Sequence, residues 1–344
     1  MYRHCLLPGF IRPLALRILS LVLLPLLAQI GTAQLDPASP PIANLADTRF
    51  NGVSEDWTTP SLSKSNLEAA QPLVGYINQY SDYTVELLQV QWRFGDPLDL
   101  YVMKPKGVKN PPVILYLYGY PASTDRFKQE RFQVGATKHG FAAVGFVSAL
   151  TDHRYHDRPM REWFLSELQQ SLATSAHDVQ MVLNYLATRG DLDMGRVGMF
   201  TQGSGATIGI LASAVDPRIK VLDALDPWGD WPTWMANSPF VPEDERAEYL
   251  KPEFLKKAAF LEPVEWLPKI QAKKFRLQDA TFDPNTPKTS KDKMRAAVPD
   301  HATVVIYKKP EEVNVLVRGN RELEWVKHEL RALPDLPAVA DMSK

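Results

Sequence analysis

The chain of 344 residues has a single cysteine, Cys5, close to its N-terminus. The rest of the sequence therefore has no disulfide framework, thiolate nucleophile or Cys-ligated metal site to build. Excess charge is lacking too: 39 basic against 40 acidic residues leave a formal −1. That balance, with no basic stripe interleaved with aromatics, offers no footprint for nucleic acid. There is no internal repeat, and no motif that implies a cofactor. The apolar run Ile18–Ile30 falls short of the ~20 residues that span a bilayer. What remains is 45% hydrophobic and 23% charged, the make-up of a soluble globular protein with ample core.

The N-terminus reads as a leader. Arg3, Arg12 and Arg17 stand without an acid, an apolar run follows, and "GTA" ends at Ala33. That order predicts a secretory signal peptide over residues 1–33, with an uncleaved anchor as the alternative. Removing it takes three arginines and leaves 36 basic against 40 acidic residues, or −4. The expected location is secreted or periplasmic, with no stable membrane span after cleavage. Residues 34–82, rich in Pro and Ser, read as a loosely ordered lead-in.

From Tyr83 the pattern sharpens. "YTVELLQVQWRF" and "LDLYVMKP" read as strands of a hairpin. Val113–Leu117 is a continuous apolar strand, expected to be buried on both faces. "FAAVGFVSA", "RVGMF", "IKVLDAL", "KKFRLQDA" and "ATVVIYKK" supply further strands. Between them lie helices: "RFKQERFQVGATKHG", the segment with Leu168, Leu172, Val179, Val182, Leu183 and Leu186 on one stripe, "GATIGILASA", and the closing "RELEWVKHELRAL". Gly190 is the stop of the second. Strands alternating with helices predict an α/β fold, a mostly parallel doubly wound sheet covered on both faces. Residues 228–271 read as a small helical lid insertion with Trp228, Trp231 and Trp234 at its start. Those rings suit packing of the insertion onto the body, or a ligand-facing aromatic rim. Residues 336–344 form a tail.

Three stretches, in this order, resemble the α/β-hydrolase superfamily, and more closely its dienelactone-hydrolase and prolyl-oligopeptidase-type catalytic domains: "LYLYGYPAS", "RVGMFTQGSGATIGILAS" with the following "DPRIK", and "RLQDATFDPNTP". The resemblance covers residues 83–335 and implies a hydrolase lineage, of esterase or peptidase type. It implies an oxyanion-hole turn at Tyr118, Gly119 and Tyr120, a nucleophile elbow at "TQGSG", and Asp283 as the acid of a Ser-His-Asp triad.

The elbow is degenerate. Such a turn needs small residues two before and two after its apex, because helix and strand collide there. "TQGSG" then places Thr201 and Gly205 at the flanks and Gly203 at the apex. Glycine reaches positive φ without a Cβ penalty, so strain and nucleophile leave together. Sliding the register makes Ser204 the apex but puts Gln202 at a flank. The resemblance places a histidine after the last strand, where "YKKPEEVNVLVRG" has none and Glu312 falls near the position. His153 is the candidate for a relocated base. Asp283 has a second reading as an Asx turn or N-cap. "TDHRYHD" groups His153, His156 and Asp157, yet the spacing is unspecific and a solvated loop is the expectation, with no metal site. His177 and Asp178 read as a surface or helix-packing pair.

The expected function is an exported binding or interaction module without an intact triad. The amides of Ser204 and Tyr120, with Gln202 and Trp228 nearby, would receive a small-molecule carbonyl or carboxylate ligand. The alternative is an active secreted esterase or peptidase-like hydrolase using Ser204, Asp283 and a relocated histidine. Oligomeric state is left open.

Overall fold

A computed structural model describes residues 50–68, 71–120, 124–150, 154, 161–318 and 321–334. The leader, the tail, and His153, His156 and Asp157 lie outside the described residues. The described residues all fall in one compact unit, Asp47–Lys344.

Nine strands form one sheet: β1 (Leu73–Gln79), β2 (Tyr83–Gln91), β3 (Pro97–Pro105), β4 (Pro112–Leu117), β5 (Ala142–Phe146), β6 (Asp193–Gln202), β7 (Ile219–Leu225), β8 (Lys274–Ala280) and β9 (Thr303–Tyr307). Their order is β1-β2-β3-β5-β4-β6-β7-β8-β9. The first three strands pair antiparallel, β3 meets β5 antiparallel, and all later pairs are parallel. The helices are α1 (Glu130–Thr137), α2 (Leu168–Arg189), α3 (Ser204–Val215), α4 (Trp231–Asn237), α5 (Arg246–Tyr249), α6 (Pro252–Ala258), α7 (Pro263–Trp266), α8 (Lys288–Ala297), α9 (Pro310–Arg318) and α10 (Glu324–Ala332).

The expected hairpin is β2–β3, in register from Tyr83 opposite Pro105 to Gln91 opposite Pro97. Strands β4 and β5 are buried almost throughout, which is why they read as unbroken apolar runs rather than as alternation. Neighbouring side chains on β4 go to opposite faces. Val113, Leu115 and Leu117 join the larger core with α2, α3 and the insertion. Ile114, Tyr116 and Tyr118 join the smaller one, with Phe132 of α1 and Val326 and Leu330 of α10. Helix α2 ends at Gly190, whose φ of 70° gives the left-handed cap.

The lead-in is more ordered than its composition suggests. Strand β1 lies inside it and extends the sheet by pairing with β2. Leu73, Val74 and Ile77 are exposed, so neither face of this edge strand alternates and no period marks it. Residues 55–62 are tied to α2. Glu55 accepts from Arg93, and Gln180 bonds Pro60 O at 2.6 Å and receives the Leu62 amide at 3.2 Å. His177 and Asp178 are fully buried, not a surface pair. His177 faces Glu55 through Nδ1 at 2.6 Å and Thr59 O through Nε2 at 3.0 Å. Asp178 accepts from Trp92 Nε1, Arg93 and Arg154 at 2.9, 2.5 and 2.7 Å.

The insertion contains four short α-helices, α4 to α7, broken by prolines. Trp231 and Trp234 are buried against Phe164 and Trp228. The Glu262 carboxylate accepts from the amides of Asp230 and Trp231, each at 2.7 Å. Burial outweighs those bonds and pushes the Glu262 carboxyl up to about 6.

Candidate active site

The chain runs from β4 to β5 on one side and reaches β6 on the other. Ligands of open α/β sheets bind where the strand order reverses, outside the carboxyl ends of the strands. Here that point lies between Gly119, after β4, and Gln202–Gly203, at the end of β6. Gly203 has φ 56° and ψ −128°, a left-handed conformation that disfavours any side chain. Its amide donates to Leu225 O at 2.9 Å and its carbonyl accepts from Ala206 and Thr207, so strand passes into helix in one residue. Gly203 is therefore the apex of the turn, and Ser204 is the first residue of α3.

The flanks show how closely the helix is pressed. A Cβ on Gly205 would lie 2.5 Å from Tyr118 O and 2.7 Å from Leu117 O. Thr201 is larger than the other flank, and it fits because Gly209 leaves a hollow: a Cβ there would stand 2.8 Å from Thr201 Cγ2. A Cβ on Gly119 would lie 2.7 Å from Gln202 O, so the turn after β4 touches the elbow backbone. Above Gly203 there is room. A Cβ there would meet nothing closer than Gly119 Cα at 3.6 Å, with Trp228 Nε1 next at 3.8 Å.

Ser204 is fully buried. Its Oγ accepts the Tyr120 amide at 2.9 Å. One of the two amides expected to form an oxyanion hole is thus already engaged by the serine itself. The Ser204 and Gly205 amides, in the first helical turn, have no intrahelical partner. Gln202, Trp228 and Tyr120 line a cavity of about 260 Å³ over the elbow, together with Gly119 and Gly203. Thr207 fixes Trp228 by its main chain, receiving the amide at 2.9 Å and donating to the carbonyl at 2.6 Å. Tyr118 does not belong to the cavity. Two residues on from Tyr116, it shares that residue's face and packs among Tyr116 and Phe127 in the smaller core.

Asp283, half-buried, lines the same cavity. Its Oδ1 receives the Asn285 amide at 2.9 Å, so the Asx turn and the rim position coexist.

Solved structures of the same architecture include an acetyl xylan esterase from Paenibacillus sp. R4. It has a TM-score of 0.60 at 15% identity, covering 82% of this chain and 96% of the other. Acetyl xylan esterase 1 from Thermoanaerobacterium sp. JW/SL YS485 gives 0.59 at 12%, over 81% and 98%. The acylaminoacyl peptidase of Pyrococcus horikoshii gives 0.53 at 13%, over 80% of this chain and 52% of the other. This is the α/β-hydrolase fold. No protein-family model and no curated protein sequence matches the chain.

Among the described residues of this α/β-hydrolase fold, no histidine lines the cavity. His177 is buried against Glu55, His301 bonds Ala272 O at 3.1 Å, and His328 is exposed beside Glu329. Glu312 does not stand in for one. Its carboxylate turns back to cap α9, accepting the Lys308 and Lys309 amides at 2.8 and 2.9 Å. Those amides hold its pKa below the ordinary value. Val313 and Val317 of the same helix line the cavity instead. No group of three or more His, Cys, Asp or Glu able to hold a metal occurs among the described residues.

The site holds one group that sequence reasoning missed. Asp226 follows β7 with φ 52°, and its amide donates to Gln278 O at 2.7 Å. Because β7 lies between the elbow strand β6 and the Asp283 strand β8, an acid at its carboxyl end falls between the two. Asp226 lines the cavity beside Asp283, and Lys291 Nζ lies 3.0 Å from its Oδ1. Burial, aided by the hydrogen bond to the Asp283 carboxyl and opposed by Lys291, pushes Asp226 up to about 8. The fold therefore favours the protonated form. Its stabilising contribution is full below the ordinary 3.8 and is lost as pH rises through about 8. Asp226→Asn, which copies the neutral acid, is expected to flatten this dependence. At pH 9 it should clearly exceed the parent in urea unfolding, with the gap closed at pH 4. Equal pH profiles for the two proteins would refute the assignment.

Proposed function

We propose that this is an exported α/β-hydrolase-fold protein that binds a small molecule over the elbow and does not cleave it through a serine nucleophile. One observation carries the reading: the apex is Gly203, and the neighbouring hydroxyl of Ser204 is buried on the Tyr120 amide. Loss of the nucleophile in a serine hydrolase costs about 10⁶ in turnover, so a chain with glycine at the apex, and no histidine at the cavity among the described residues, is expected to be inert to esters and amides. The N-terminal end of α3, directly after the cavity-lining Gly203, favours a carbonyl oxygen. A carboxylate is less suited, since Asp226 and Asp283 share the cavity. Export rests on the leader pattern of residues 1–33.

A fluorophosphonate probe tests the reading on chain secreted from its own leader, expected to begin at Gln34. The expected result is no covalent label. Labelling of Ser204, abolished in Ser204→Ala, would establish a working nucleophile and overturn it.

A further inference from the structure

Trp228 is 3% exposed and fixed in place. Thr207 holds its main chain, and its ring packs on Trp234, Phe164 and Phe240. A buried indole N–H normally finds an acceptor. Those of Trp92, Trp231 and Trp266 do, on Asp178, Leu261 O and Phe260 O. The Nε1 of Trp228 has no hydrogen-bond partner among the described residues, and it is not sealed in the core as that of Trp234 is. The residue lines the cavity over the elbow. Its Nε1 stands 3.8 Å from where a Cβ on Gly203 would be, nearer than any other side-chain atom outside Gln202 and Ser204. The Tyr120 amide is already spent on Ser204. One oriented donor therefore faces the hollow that glycine leaves at the apex.

The charge of the walls decides what can accept that hydrogen. No lysine or arginine lines the cavity, and its acids are Asp226 and Asp283. Asp226 is held protonated at neutral pH and hydrogen-bonded to Asp283, with its Oδ2 closed to solvent. Lys291 meets both residues, at Asp226 Oδ1 and Asp283 O. One carboxylate and one ammonium cancel, so this wall is neutral. An anion would find no counter-charge, and a cation would find the carboxylate already matched. Either would lose its hydration uncompensated. Leu225, Phe282, Val313 and Val317 make much of the remaining lining apolar. A volume of about 260 Å³ suits one small ring.

We propose that the cavity takes a small uncharged carbonyl compound, whose oxygen accepts the Trp228 Nε1–H in the space Gly203 leaves open and whose apolar body lies against Phe282, Val313 and Val317. The inference rests on the reading of the cavity as a ligand site, and it names the ligand's class and the side chain that recognises it. It does not depend on whether Ser204 reacts.

Calorimetric titration of the chain secreted from its own leader with three molecules of similar shape provides the test: benzamide, benzoate and benzylamine at pH 7. Benzamide is expected to bind roughly tenfold or more tightly than either ion. In ¹⁵N–¹H spectra of the unmodified protein, benzamide should displace one of the eight indole signals, and that signal should be the one missing from Trp228→Phe. This variant keeps a ring against Trp234 and removes the donor, so its affinity for benzamide should fall about tenfold. The charge series and the single displaced signal need no variant to fold. Equal affinities, preference for an ion, no binding of any of the three, no displaced indole signal, or Trp228→Phe binding benzamide like the parent would each overturn the proposal. Fluorophosphonate labelling of Ser204 with the benzamide preference intact would overturn the inert reading alone.

Discussion

Replacing Asp178 by alanine is expected to lower the unfolding free energy by about 3–5 kcal/mol, the usual result of stripping the counter-ion from a buried charge. Asp178 is fully enclosed, and it holds two guanidinium groups and an indole N–H together. Burial pushes its carboxyl up, but Arg154 and Arg93 prevail and hold it at about 2. The sign follows. This contribution is present above the ordinary 3.8 and fades as pH falls through about 2. The unmodified protein should therefore lose about 2 kcal/mol over that acid window, while the alanine variant lacks this component. Arg93 also holds Glu55, so the variant should lose hydrogen-exchange protection first around residues 55–62. A chemical denaturation midpoint unchanged from the parent would show that the cluster does not anchor the segment.

Gly205→Ala should be nearly as damaging, at about 3 kcal/mol, measured by urea unfolding. The new methyl group would stand 2.5 Å from Tyr118 O and 2.7 Å from Leu117 O, main-chain oxygens at the end of β4. Neither can rotate away, so α3 must lift from the sheet, and such overpacking is usually worth 1–3 kcal/mol or more. A near-neutral result would mean that helix and strand are not pressed together at this turn.

Much of the architecture was legible because buried parallel strands leave no room for polar residues. Val113–Leu117 and the stripe on α2 announce themselves in this way. The elbow was legible for a steric reason: Thr201, Gly203 and Gly205 fit only one register of a turn with so little space. Other features were not legible. Strand β1 carries apolar residues on exposed positions, so no alternation marks it. The motif of Tyr118 points it to the ligand site, although its parity with Ile114 and Tyr116 directs it to the opposite face. Only its distance from the last strand brings Glu312 near the histidine position in the sequence. Where its carboxylate turns depends on the amides that precede α9, which spacing does not reveal. In the sequence Asp226 is an isolated acid before Pro227, the pattern of a turn residue. Only the order of strands in the sheet shows that β7 ends between the elbow and Asp283.

At Gly119 and Gly203 the cavity floor is main chain alone. Main chain has no rotamers to exchange, so a guest meets a base whose contour is set before it arrives. Little ordering entropy is then spent there on binding. Discrimination among guests falls to the walls, where Trp228, Asp283 and Val313 can be altered one at a time without reshaping what lies beneath them.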